Sequence, residues 1–198
     1  MIINYADKEL TQRYQLMAQT IIPRPIAWIV TEDTQGVLNI APFSYFMGLS
    51  SEPPTMVVSL GHKSDGSEKD TLKNLRQTKK CTLCMVDEGL LEKMHFSSKE
   101  LASNIDEAKL FDIKTIQMLK DFPPLIEGTP SAFFCELHQE IDLKGSKTIP
   151  LILEIKEQYI DDTIISDTQK ITLDYEPLAR VGKSYATLGK KITPPQIP

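Results

Sequence analysis

Between Ile26 and Leu60 the chain sets down short apolar runs separated only by turn chemistry. Ile26 to Val30 reads as a strand led in by Pro25, a residue tolerated at a strand start. "EDTQG" (Glu32 to Gly36) supplies a turn. Val37 to Gly48 reads as a second strand, interrupted at Pro42, and a proline there implies a bulge or an edge because it cannot donate to the ladder. "SSEPP" punctuates the chain before a third strand, Thr55 to Leu60. The pattern returns later in Cys81 to Val86, in Ser131 to Leu143 and in Ile149 to Ile165, the last two joined by a "KGSK" turn (Lys144 to Lys147). In Ser131 to Leu143, Phe133, Cys135 and Leu137 alternate with Phe134, Glu136, His138 and Glu140. Connections this short leave little room for crossover helices, so the strands should pair antiparallel. A sheet of this size sheds free edges by closing. The expected fold is therefore mainly β, α+β in class terms: a β-barrel with peripheral helices.

Helical segments are few. Asp7 to Met17 reads as a weakly helical or irregular arm, and Asp70 to Lys79 as a helix with Leu72, Leu75 and Arg76 on one side. Glu88 to Ala108 reads as helix in one or two pieces, and "FPPLIEGTP" (Phe122 to Pro130) as extended chain. With 198 residues, one domain spanning 1–198 is expected, with an N-terminal arm of about 1–19 and a C-terminal tail of about 190–198. Twenty-two Lys and Arg against 27 Asp and Glu give a net charge of −5, which argues against a generic nucleic-acid or anionic-membrane binder. Met1 to Gln15 has no apolar core of a signal sequence, and no apolar run approaches the roughly 20 residues of a membrane span. Three cysteines do not make a disulfide framework, so a reducing cytoplasm is expected.

Three stretches carry candidate chemistry. In "SDGSEKDTLKNL" a helix starts near Asp70 or Thr71; its free N–H groups, the Thr71 hydroxyl, Lys69 and, a turn on, Lys73 make either a phosphate cradle or a capped surface helix. In "NIAPFSYF", Asn39 and Ser44 offer polar groups, while Ala41 and Pro42 leave backbone open to close approach. Phe43, Tyr45 and Phe46 either wall a flat ligand or fill the core. In "PRPIAW", Arg24 is stiffened by flanking prolines for an anion or for a surface ion pair, and Trp28 reads most simply as core. Cys81 and Cys84 form a CxxC spacing within a strand, where residues three apart point to opposite faces, so burial outweighs metal binding. His62, His95 and His138 are scattered, with no HExxH. Walker, GxSxG and GxGxxG patterns are absent from the sequence, as is any standout pair of carboxylates for glycoside chemistry.

Taken together, "PRPIAWIVT", "GVLNIAPFSYFMGLSSEPP", "SEKDTLKNLRQT" and "EPLARVGKSYATLG" resemble the flavin reductase-like family of FMN-binding split β-barrels, in order and spacing, from about Thr20 to Gly189. "LLEKMHFSSKELASNIDEAKLFDI" is similar to that family's helical insertion. The resemblance implies bound FMN, with Asn39, Ala41, Pro42 and Ser44 along the isoalloxazine and ribityl chain and Lys69, Asp70 and Thr71 at the phosphate. It puts Arg24 and Trp28 at the flavin's polar tail or rim, and Ser59 as a further contact. It further implies a homodimer with the flavin near the subunit interface, closed by Arg180 and Tyr185. One departure stands out: no glycine precedes Glu154, where similar proteins often carry one before the acidic residue.

The implied activity is that of an NAD(P)H:FMN oxidoreductase passing reduced flavin or electrons to a monooxygenase or other acceptor. Two alternatives are a flavoredoxin-like electron carrier reduced by another protein and a non-enzymatic ligand-binding barrel. No catalytic acid or base is required, because the hard chemistry belongs to the cofactor.

Overall fold

Asp33 turns the first hairpin by accepting the backbone N–H groups of Gln35 and Val37, and Gly36 supplies the left-handed φ of 83° that the turn needs. It joins β1 (Ala27–Glu32) to β2 (Leu38–Phe43) in a computed structural model that describes residues 1–195. The other main strands are β3 (Phe46–Ser51), β4 (Pro54–Leu60), β5 (Lys80–Cys84), β6 (Ser131–Glu140) and β7 (Ile149–Ile160). They form one antiparallel sheet in the order β2-β1-β5-β6-β7-β4-β3. A small hairpin, β8 (Leu178–Val181) with β9 (Ser184–Thr187), pairs with Arg24–Pro25. The expected mainly β split barrel is what the chain forms.

The sheet curls around one apolar cluster and is covered on its other side by a second. Ala27 and Ile29 of β1, Val58 and Leu60 of β4, Leu83 of β5 and Leu151 and Leu153 of β7 are all fully buried in the first. α2 (Asp70–Thr78) lays Leu72 and Leu75, also fully buried, into it. Trp28, Val30, Ile40, Met94 and Phe134 belong to the second. The alternation of a strand thus separates Cys81, in the inner cluster opposite Cys135, from Cys84, in the outer one. All three thiols are buried and free, and burial pushes Cys84 up to about 12.

Three segments differ from expectation. β2 runs through Pro42, which sits opposite Trp28, and the chain breaks at Ser44 and Tyr45 instead. Because β2 is an edge strand, a residue without an N–H costs it nothing on its outer side. The N-terminal arm is better helix than its sequence suggests: α1 spans Leu10–Thr20, and Arg24 donates to the carbonyls of Ala18 and Ile21 at its end. The segment 88–108 is broken into a 3-10 turn, α3 (Leu91–Phe96) and α4 (Glu107–Leu110). Local side-chain bonds interrupt it: Ser97 and Ser98 turn back to the carbonyls of Met94 and His95, and Asp106 caps α4. The expected C-terminal tail begins at about 190, and its residues 196–198 lie outside the described ones. Among the described residues no helix is long and apolar enough to cross a membrane.

Candidate functional site

A turn at Gly66, whose φ is 85°, delivers the chain to the start of α2. Lys69, the residue before the helix, is extended, and its carbonyl accepts the N–H groups of Leu72 and Lys73. The N–H groups of Asp70 and Thr71 therefore have no carbonyl within the helix and face outward with the positive end of its dipole. Thr71 is buried, and its hydroxyl accepts from Asn39 Nδ2 at 2.9 Å. Asn39 also reaches Thr31 at 3.4 Å, and Asn74 donates to the same Thr31 hydroxyl at 3.2 Å. This buried network ties α2 to the first hairpin.

A cavity of about 250 Å³ opens over this junction. Of the twelve residues expected at a site, eight line it: Asn39, Ala41, Pro42, Ser44, Ser59, Lys69, Asp70 and Thr71. Its charges are already partly spoken for. Lys63 Nζ lies 2.7 Å from Asp70, which also accepts from Ser103, and Lys69 lies 3.3 Å from Glu100. Hydrogen bonds from Ser64, with help from Lys69, hold Glu100 below the usual carboxylate range. Asp70 consequently has its N–H to offer a ligand, and its carboxylate serves to hold Lys63. Lys99 completes a set of lysines along the rim with Lys63 and Lys69.

The remaining four expected residues lie elsewhere. Trp28 does not line the cavity: it is fully buried in the outer cluster, and its indole N–H donates to Ser97 at 2.9 Å. It acts on the site by holding the segment that carries Ser97 and Ser98, which line the cavity. Arg24 is buried too and makes neither a surface ion pair nor a wall of the cavity. It caps α1, approaches Ser44 Oγ at 3.5 Å, and lies 5.6 Å from the Tyr45 ring centre. Arg180 and Tyr185 line a separate hollow of about 210 Å³ that meets the first along Pro42, Phe43 and Ser44. Glu154 lines neither; it is held by Lys156 at 2.6 Å and faces His138 at 3.4 Å, while Leu153 before it fills the barrel interior.

The arrangement fits a flat ligand with a phosphate tail. Among the described residues the Tyr45 hydroxyl and one nitrogen of Arg24 are buried without a hydrogen-bond partner. Gly61 has open space where a Cβ would stand. The start of α2 offers N–H groups, a hydroxyl and a cation suited to phosphate, while Ala41, Pro42 and Phe43 give the cavity an apolar edge.

Sequence reasoning missed Glu107. It sits at the start of α4, only 6% exposed, lines the cavity, and accepts the backbone N–H of Ile40. Burial pushes its carboxyl up to about 7, with repulsion from Asp70 adding to the effect. Its folded value thus lies above the 4.5 of a free glutamate, and the native protein holds more protons between the two. Stability should therefore fall as pH rises from about 4.5 to about 7. Glu107→Gln keeps an acceptor for Ile40 and is expected to stabilise the ligand-free protein at pH 8 by on the order of 2 kcal/mol, with little effect at pH 4.5. Urea unfolding at the two pH values measures this, and an equal effect at both would refute the assignment. The only sequence signal was an acidic pair, Asp106 and Glu107, set before the apolar Ala108, Phe111 and Ile113.

Comparison with known proteins shows the family and the fold. The family model described as "Flavin reductase like domain" matches residues 17–188. An uncharacterised protein of Aquifex aeolicus is 30% identical over 177 residues, covering 87% of each chain. Among solved structures, nitrilotriacetate monooxygenase component B from Bacillus cereus superposes with a TM-score of 0.90 at 26% identity, covering 98% of each chain. The 2-nitrobenzoate 2-nitroreductase of Pseudomonas fluorescens gives 0.88 at 26% identity, over 100% of this chain and 96% of that one. With the cavity, the split barrel and a family model spanning most of its length in agreement, the chain belongs to the flavin reductase-like family, a family of flavin-dependent redox proteins.

Proposed function

We propose that the protein binds FMN and is an NAD(P)H:FMN oxidoreductase that supplies reduced flavin or electrons to a partner such as a monooxygenase. The observation that carries the reading is the junction of α2 with the first hairpin. There the free N–H groups of Asp70 and Thr71, the Thr71 hydroxyl and Lys69 converge at one end of a cavity walled by Ala41, Pro42 and Phe43. The phosphate that this end would seat favours FMN over riboflavin.

FMN held by these residues would supply the redox chemistry, the two-electron reduction of flavin by NAD(P)H and H⁺ to reduced flavin and NAD(P)⁺. The protein's share is placement and electrostatics. Asn39 and Thr71 hold each other and fix the α2 start against the hairpin. Asp70 and Glu100 hold Lys63 and Lys69 in place along the rim beside Lys99, and the Tyr45 hydroxyl is buried without a hydrogen-bond partner among the described residues. The nitrilotriacetate monooxygenase component is consistent with a partner monooxygenase here.

A homodimer and a cytoplasmic location belong to the same reading. Leu10, Tyr14, Met17 and Ile21 expose an apolar stripe along α1, and Met47 and Leu49 expose another on the edge strand β3, surface that a second copy would cover. Three free thiols suit a reducing compartment. Anaerobic addition of NADH or NADPH to the FMN-loaded protein tests the reaction: loss of the yellow flavin band is the expected result.

A further inference from the structure

Residues 97–106 join α3 to α4, and those from 97 to 101 line the cavity in an unbroken row. Asp70, Glu100 and Glu107 are the carboxylates in its wall among the described residues. Two of them are tied to the frame of the site. Asp70 holds Lys63 and accepts from Ser103, and Glu107 accepts the N–H of Ile40. Glu100 takes a different set of partners. One of its oxygens accepts the backbone N–H of Ser64 at 3.0 Å and the Ser64 hydroxyl at 2.7 Å, and the other faces Lys69 Nζ at 3.3 Å. A backbone N–H, a hydroxyl and an ammonium converging on one anion make a donor set that a phosphate also takes. Donors close enough to meet on one carboxylate are close enough to meet on one phosphate.

Neither side of this contact owes its shape to Glu100. The Ser64 loop closes on itself: Lys63 N–H donates to the Ser67 carbonyl at 2.8 Å and Gly66 N–H to the Lys63 carbonyl at 2.9 Å. Asp65 accepts from the Ser67 N–H at 2.8 Å and from its hydroxyl at 2.6 Å. Residues 97–106 have their own anchors in the Trp28–Ser97 bond, in Lys63 Nζ donating to the Leu101 carbonyl at 3.4 Å, and in Ser103 on Asp70. The Glu100 side chain is 37% exposed, so it can turn into water while both backbones stay in place, and an exposed ion pair costs little to break.

We infer that Glu100 is a built-in competitor for the ligand's phosphate: its carboxylate holds Ser64 and Lys69 until the phosphate takes them, and the competition keeps bound FMN exchangeable. The inference rests on the FMN reading above and deepens it, since a protein that supplies reduced flavin to a partner must let the flavin go. A phosphate monoester brings roughly 1.5 to 2 negative charges and three acceptor oxygens, against one charge and two oxygens for Glu100. It can use the Ser64 and Lys69 donors together with the N–H groups that begin α2, which Glu100 does not reach. The displaced carboxylate stays tethered beside the phosphate, repels it, and retakes the donors when it leaves. Glu100 thus acts on how tightly the flavin is held, with no part in hydride transfer.

The test titrates FMN and riboflavin separately into flavin-free protein and reads the quenching of flavin fluorescence. Glu100→Ala should bind FMN about three- to ten-fold more tightly, the size of an exposed ion pair with its hydrogen bonds, while riboflavin changes by less than about two-fold. Glu100→Gln, which can still accept from Ser64 but no longer pairs with Lys69 as an ion, should fall between. Adding Ser64→Ala to Glu100→Ala should take back about three-fold or more of the gain for FMN, because the phosphate then uses that hydroxyl. Weaker FMN binding by Glu100→Ala would overturn the proposal and make Glu100 a residue that positions Lys69. An equal gain for FMN and riboflavin, or no effect of Ser64→Ala, would overturn it as well. FMN binding that is indifferent to Glu100 would discard the competitor and leave the FMN reading standing. No FMN binding by the wild type or the variants would discard both.

Discussion

Leu72→Ala is expected to lower the unfolding free energy by about 2–5 kcal/mol, the range for a leucine emptied from a close-packed core. Leu72 is fully buried, in the first turns of α2, and packs with Leu75 among the residues that fill the barrel. Two costs add. The methyl groups lose their burial, and the hole they leave sits where the rigid barrel cannot collapse onto it. The consequence reaches the site because Thr71 is the next residue, and its bond to Asn39 depends on how firmly α2 is seated. Urea unfolding reads the stability, and a loss below about 1 kcal/mol would mean that α2 is not anchored by this side chain.

The second large effect concerns the phosphate. Lys69→Ala combined with Thr71→Val should weaken FMN binding by about ten- to a hundred-fold, since hydrogen bonds to a charged group contribute about 1.5–3 kcal/mol each and some of the seat, the backbone N–H groups, survives. Riboflavin lacks the phosphate, so its affinity should change by less than about two-fold, the size of a surface perturbation. That contrast separates a lost phosphate seat from a damaged fold. Valine keeps the volume of Thr71, but Asn39 Nδ2 is left with only the 3.4 Å contact to Thr31, so a stability loss of about 1 kcal/mol should accompany the change. Equal weakening of FMN and riboflavin would place the phosphate elsewhere.

The local patterns were legible where one rule dominated. Turn chemistry at Asp33–Gly36, the alternation of Phe133 to His138 and the helical spacing of Leu72 and Leu75 each predict the element that forms. The opposite burial of Cys81 and Cys84 follows from strand geometry alone. Eight site residues could be named because they lie in two contiguous stretches, Asn39–Ser44 and Lys69–Thr71, plus Ser59 on a strand next to them. Arg24 and Trp28 are harder to place: four positions apart, they stand on different strands, Arg24 capping α1 and Trp28 filling the outer cluster, and the short run between them records neither fate. Glu107 was out of reach for another reason. It meets Ile40 across 67 positions of sequence, through an insertion whose serines and Asp106 break the helix that simple periodicity suggests.

The measurement that bears most directly on this account is the anaerobic spectrum of the FMN-loaded protein during addition of NADH and then NADPH. The account predicts that the yellow flavin band is lost at a catalytic rate with at least one of the two donors. A bound flavin that stays yellow with both would contradict the reductase reading and point to an electron carrier reduced by another protein.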